Sequence, residues 1–185
     1  MRIAFIDVET TGLTEKDRIV SLGLIVGRYI EAQERDLGAL HLIFNPTVKS
    51  HPRARAVHGY SDAMLARQPL FATQADLIKS TLADCDLLVA HNAEFDFDFL
   101  AFELSLCGLS LPNKPTYCTM TAWRRAMMTS GRLDDVISQL NLPPRQGAHS
   151  ALLDAFYCYC VYRWLLHKEK VQMPDEIPEP FNLVE

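Results

Sequence analysis

Apolar and polar positions change period several times along this chain, and each change marks an element. Ile3–Val8 is a short, β-rich apolar run, and Ile19–Tyr29 is a second, weakened at Gly23 and Gly27. A third run, His41–Asn45, stops at Pro46 and follows the charged turn region Glu31–Asp36. Three strands with short connections predict an antiparallel meander. Lys49–Gly59 is polar and basic and reads as loop or a short helical turn. Ser61–Arg67 and Phe71–Ala83 have helical spacing, the latter with Phe71, Ala75, Ile78 and Leu82 on one stripe.

Strand and helix patterns then alternate. Asp86–Ala90 reads as a buried strand, and Asn92 as a cap for the helix Phe95–Cys107, which ends near Gly108. A short strand at Thr116–Cys118 leads to helices over Thr119–Met128 and Leu133–Leu140. Pro143-Pro144-Arg145-Gln146-Gly147 is a loop, and Ser150–His167 is a last long helix capped by Ser150. The predicted class is α/β, a mixed five-stranded sheet opening on a meander, with helices on both faces. One domain is expected over residues 1–168, followed at 169–185 by an extended tail rich in proline and acids.

Composition narrows the function classes. The 185 residues suit one domain, and 49% hydrophobic with 22% charged residues is globular rather than disordered. No apolar run approaches the ~20 residues of a membrane span, and no signal peptide precedes the first acids, so a cytoplasmic protein is expected. Cys85, Cys107, Cys118, Cys158 and Cys160 lack paired metal-ligand spacing and read as reduced, mostly buried thiols. The net charge of −5 argues against a broad basic face for long duplex DNA. It leaves open a protein that grips a strand end, where bound cations neutralise the phosphate.

The chemistry lies in acids out of place. Asp7 and Glu9 end an apolar strand two residues apart, so both carboxylates share one face. Each raises the cost of ionising the other, and a cation between them removes that cost. Taken alone, such a pair is common at solvated strand ends. Asp154 is the only charged residue in Ala151–Tyr162, where a carboxylate is expensive unless paired or metal-bound. His149 lies five residues earlier, roughly 140° away on a continuous helix, and could reach the same centre only from the preceding loop. A structural histidine is the alternative. Asp96 and Asp98, also two apart, lie about 200° apart on a helix, so only one can face the centre. Asp96 is nearer the strand end where ligand crevices form, and Asp98 reads as solvated.

Three segments occur in order: Asp7-Val8-Glu9-Thr10-Thr11-Gly12-Leu13, then His91-Asn92-Ala93-Glu94-Phe95-Asp96, then His149-Ser150-Ala151-Leu152-Leu153-Asp154. Together they resemble the three motifs of the DEDDh exonucleases, the family of the epsilon proofreading subunit of bacterial DNA polymerase III and of exonuclease X. Val57-His58-Gly59 resembles a lesser signature of the epsilon-like branch. The resemblance spans about residues 2 to 165 and implies an RNase H-like fold that releases nucleoside 5′-monophosphates from a 3′ end. It implies that Asp7, Glu9, Asp96 and Asp154 hold two Mg²⁺ or Mn²⁺ ions about 4 Å apart, with His149 as general base. It also implies substrate contacts from the backbone of Thr10, Thr11 and Gly12, from Leu13 and Phe95 as wedge and stacking residues, and from His58. Against this, Leu13 and Phe95 could be core, and Phe99 reads as core.

Two positions depart from the family pattern. Ser21 stands where many relatives have glutamate, and Arg132 where a small polar residue is common. No clamp-binding peptide is evident in the tail, which favours a free-standing relative. The expected partner is a single-stranded 3′ end, DNA rather than RNA. An RNA-trimming enzyme and a non-catalytic nucleic-acid-binding or polymerase-partner module are the alternatives. The aromatic last helix, with Phe156, Tyr157, Tyr159, Tyr162 and Trp164, suggests a homodimer or partner face.

Overall fold

A computed structural model describes residues 1–30 and 33–168. Strands β1 (Arg2–Thr10), β2 (Ile19–Ile30) and β3 (Gln33–Ile43) form the expected meander. β4 (Leu87–Ala90) and β5 (Thr116–Cys118) add parallel to β1, giving the sheet order β3-β2-β1-β4-β5. The third strand begins at Gln33, well before the predicted His41, and takes in most of the segment read as a charged turn. It lies at the sheet edge, where one side of the ladder faces away from the sheet and charges are tolerated. Asp36 sits opposite Arg28 there, 3.8 Å away. The tail at 169–185 lies outside the described residues.

Period-two alternation in β1 gives the sheet two apolar faces. After the short helices α1 (Pro52–His58) and α2 (Asp62–Leu65), helices α3 (Ala75–Ala83) and α4 (Ala93–Leu106) close a cluster to which Ala4, Ile6 and Val8 point with Leu22, Leu24 and Val26 of β2. The predicted single helix from Phe71 to Ala83 is divided: a 3₁₀ turn, Phe71–Thr73, ends at Gln74 before α3 begins. Ile3 and Phe5 point the other way, into a cluster with α7 (Ala151–His167). Asp7 and Glu9 continue that second face, so the sequence parity that buries Phe5 also aims both acids at the start of α7. Helices therefore cover both faces.

Helix α7 is apolar all round because it is enclosed on two sides. Phe156, Tyr159 and Tyr162 pack on the sheet, while Tyr157 and Val161 face α5 (Thr119–Met127) and α6 (Leu133–Gln139) through Trp123, Val136 and Ile137. Trp164 meets Trp123 at 5.1 Å. The aromatic surplus that suggested a second subunit is thus taken up within the chain. The five cysteines are free, with Cys85, Cys158 and Cys160 buried. Among the described residues no helix is long and apolar enough to cross a membrane.

Two contacts fix the helices to the sheet. Glu103 of α4 is 1% exposed, accepts both Nε and Nη2 of Arg18 at 2.7 Å, and also accepts the Ile19 N–H at 3.1 Å. This bidentate pair ties α4 to the start of β2. On the other face, α7 begins directly over Gly23, the residue paired with Asp7. A Cβ on Gly23 would lie 2.2 Å from the Ala151 carbonyl carbon and 2.4 Å from the Leu152 nitrogen, so only glycine admits the helix. Gly23→Ala is expected to destabilise the protein by about 1–3 kcal/mol, the usual cost of overpacking. Urea unfolding checks this, and an unchanged midpoint would contradict the backbone seat.

Candidate active site

The sheet's second face ends in a cluster of acids gathered from three elements. Asp7 and Glu9 come from β1, where a bulge between Glu9 and Thr10 shifts the register. Asp154 comes from the first turn of α7 and is 3% exposed. Asp96 comes from the first turn of α4, also 3% exposed. Its Oδ1 accepts the Val8 N–H at 3.0 Å, just past Ile6↔Ala90, the last pair of the β1–β4 ladder. The short length of β4 thus leaves a strand donor that pulls Asp96 into the centre. Asn92 occupies the predicted cap position of α4 without a side-chain capping bond.

Placing these groups together penalises their ionisation. Burial, then Asp96, Asp154 and Glu9, hold the Asp7 carboxyl well above its ordinary value. Burial, then Asp154, raises Glu9 to about 8. Burial raises Asp96 to about 7 against the opposing Val8 N–H bond, and raises Asp154 to about 6 against the opposing Arg145. Asp154 Oδ1 is buried with no hydrogen-bond partner. An orphaned carboxylate oxygen among acids that resist ionisation fits a cation-binding site made of hard oxygen ligands.

His149 lies in the loop before α7, as a role at this centre requires. Its N–H donates to the Val57 carbonyl at 2.8 Å, which pins the loop to the end of α1 (Pro52–His58). Ligand atoms of Glu9, His149 and Asp154 all lie within 4.8 Å of one another. Burial, then Arg145, lowers the His149 pKa. Ser150 occupies the cap position of α7 without a side-chain bond.

The remaining predicted residues divide. Thr10 and Thr11 are buried and spend their hydroxyls within the loop, on Gly12 O at 2.6 Å and Asp17 Oδ1 at 2.8 Å. The close approach that Gly12 permits is to the Asp17 carboxylate, 2.6 Å from where a Cβ would be. Leu13 is 84% exposed and is no part of the core. With Phe95, Asp98 and Phe102 it lines an open groove of about 610 Å³ between the loop after β1 and the start of α4. Asp98 is exposed and Phe99 is core, as expected. His58 is 2% exposed and stacks on Tyr60 at 5.5 Å; its Nδ1 accepts the Tyr60 N–H at 3.1 Å, and its Nε2 has no partner. Ser21 sits fully buried opposite Glu9 on β2, where a glutamate would add a fifth acid to the crowd.

Arg145 joins the centre although it belongs to none of the three motifs. Its Nη1 donates to Asp154 Oδ2 at 2.5 Å and to His149 Nδ1 at 3.1 Å, while Nε donates to Asp134 at 2.8 Å. The available signal was a lone cation in an otherwise uncharged loop, four residues before His149.

A sheet of order 3-2-1-4-5 with acids converging at the end of its central strand defines an RNase H-like nuclease fold. The exonuclease family model RNase_T matches residues 4–162, and the chain belongs to that family. It is similar to the DNA polymerase III subunit epsilon of Escherichia coli (strain K12), 30% identical over 164 residues, covering 81% of this chain and 65% of that protein. The chain thus spans about 65% of the length of that curated relative. The structure of exonuclease X in complex with 5′ overhanging duplex DNA matches with a TM-score of 0.66 at 21% identity, covering 92% of this chain and 94% of that one. A 3′-exonuclease that recognises the histone mRNA stem-loop matches with a TM-score of 0.72 at 14% identity, covering 91% and 83%.

The raised carboxyls carry a consequence for stability. Glu9 titrates at about 8 in the fold against an ordinary 4.5, so the folded state holds an extra proton between those values. Its contribution is therefore full below pH 4.5 and lost as pH rises through 8. In EDTA, the wild type is expected to lose stability relative to Glu9→Gln across that window. Urea unfolding at several pH values tests this, and a flat difference would refute it.

Proposed function

We propose that this chain is a metal-dependent 3′→5′ exonuclease that releases nucleoside 5′-monophosphates from DNA 3′ ends. The observation that carries the reading is the convergence of Asp7, Glu9, Asp96 and Asp154 beside His149, with one buried carboxylate oxygen unpaired. Asp7, Glu9, Asp96 and Asp154 would hold two Mg²⁺ or Mn²⁺ ions. Bound there, such ions supply positive charge to the scissile phosphate and to the oxygens entering and leaving it.

The protein's own groups do the rest. His149 takes the proton of the attacking water, a role suited to an imidazole whose pKa is held below its usual value and which is therefore neutral at pH 7. The exposed Leu13 and half-buried Phe95 offer apolar surface to the last bases, and sequence-independent stacking suits a strand end. The backbone of Thr10, Thr11 and Gly12 leads directly into Leu13 of the groove and would lie against the terminal nucleotide, whereas the unpartnered Nε2 of His58 is buried and would reach that nucleotide only once uncovered. Little positive surface is needed, because a strand end is held at its terminus rather than along a duplex.

DNA is favoured by the similarity to epsilon and to exonuclease X bound to DNA. RNA trimming is the second reading, supported by the likeness to the enzyme that recognises histone mRNA. Association with a polymerase follows from the epsilon resemblance alone.

Single-stranded DNA, duplex DNA and RNA, each labelled at the 5′ end, are expected to shorten stepwise from the 3′ end with Mg²⁺ and not with EDTA, DNA fastest. Asp154→Asn is expected to abolish trimming with an unchanged circular-dichroism spectrum; an active variant would refute the site. His149→Ala is expected to lower turnover by ~10²–10⁴-fold, the usual scale of a general base. A loss below about tenfold would remove His149 from that role.

A further inference from the structure

The least expected group in the site is a cation supplied by the chain. Arg145 lies in the loop between α6 and α7, and its side chain is only 11% exposed. Its guanidinium spans two acids, contacting Asp134 through Nε and through Nη2 at 2.7 Å, and Asp154 Oδ2 through Nη1. The same Nη1 donates to His149 Nδ1. Asp134 is 58% exposed and Asp154 4%, so one end of the guanidinium is held at the surface and the other in the buried centre.

Both inner contacts bear on the chemistry proposed above, on which this inference rests. Guanidinium is always a donor, so His149 Nδ1 is an acceptor here and the imidazole proton resides on Nε2. Neither nitrogen can then take a proton from water. Asp154 keeps Oδ1 for a divalent ion, but an ion there meets a full positive charge across the same carboxylate. Like charges at that separation in a poorly solvated site repel by more than water can screen.

We propose that Arg145 is a positioning residue that competes with divalent metal for Asp154 and holds His149 from acting as a base until the metal is bound. Metal loading drives the inner arm of the guanidinium off Asp154 and His149. Asp134, already bonded to the other arm, retains it at the rim. The site is thus neutralised by its own cation first and by metal second, and Arg145 sets the metal concentration at which the exchange occurs.

Mn²⁺ binding to the full chain, measured calorimetrically without nucleic acid, tests this. Arg145→Gln is expected to bind Mn²⁺ roughly ten- to hundredfold more tightly than wild type, the scale of the charge-assisted hydrogen bonds removed. Arg145→Lys, which keeps the charge, is expected to stay nearer wild type. Equal or weaker binding by the Gln variant would overturn the competition, since a residue that merely supports Asp154 weakens binding when lost. Failure of both proteins to bind Mn²⁺ would overturn the metal site itself and the competition with it. A second measurement needs no substitution: the ¹⁵Nη1 signal of Arg145 in the wild type is expected to move on Mg²⁺ titration as its inner contacts break. A signal unmoved at saturating Mg²⁺ would overturn the proposal.

Discussion

Everything at the working end of this molecule answers to one electrostatic constraint: four carboxylates share a poorly solvated space at the end of β1. Water cannot separate their charges, so the fold must protonate them, pair them or supply a cation. The raised values at Asp7, Glu9, Asp96 and Asp154 record that demand, and Arg145 answers part of it. A site that is costly to ionise alone is one that a doubly charged ion stabilises strongly. Fold and proposed activity are therefore two sides of the same penalty.

The scaffold bears that penalty by spreading the acids over elements that are anchored elsewhere. β1 contributes two from its α7 face, its other face being committed to the α3–α4 core. α4 is secured by the buried Arg18–Glu103 pair, two turns from Asp96, so Asp96 is not required to hold its own helix. α7 is held between the sheet and the Trp123 cluster along its length. Among the described residues the structural contacts made by acids of the centre are few: the Val8 bond to Asp96 and the Arg145 bond to Asp154. The substrate side is built differently. The loop after β1 is closed by Thr11, Asp17 and Gly12 among themselves, which leaves Leu13 projecting at its tip.

Much of this was legible in the chain, for reasons that differ by residue. Alternation in Ile3–Val8 put Asp7 and Glu9 on one face, because strand parity is local. Asp154 stood out because a carboxylate within an apolar helix has few explanations. The loop prolines and Gly147 placed His149 ahead of α7. By contrast, the pattern makes β3 too short, because the charges of an edge strand resemble those of a turn. The glycine of β2 looked like a weak point in a strand, since nothing local shows that a helix will land on it. Thr10, Thr11 and Gly12 matched a motif, yet their side-chain work is internal to the loop. Arg145 carried only a faint signal: a lone arginine after two prolines gains meaning only from Asp134, eleven residues away, and Asp154, nine away.

The landing of α7 on Gly23 has one more implication. Contact there is main chain against main chain, made of atoms that every amino acid shares. The reach of Asp154 toward Asp7 is consequently gauged from a fixed datum rather than from the fit of neighbouring side chains. Exposed residues at the C-terminal end of α7, such as Leu166 and His167, can change bulk or polarity and the helix will still register at the same height above the sheet. The geometry of the site is thus intolerant of one added carbon at a position that bears no functional group.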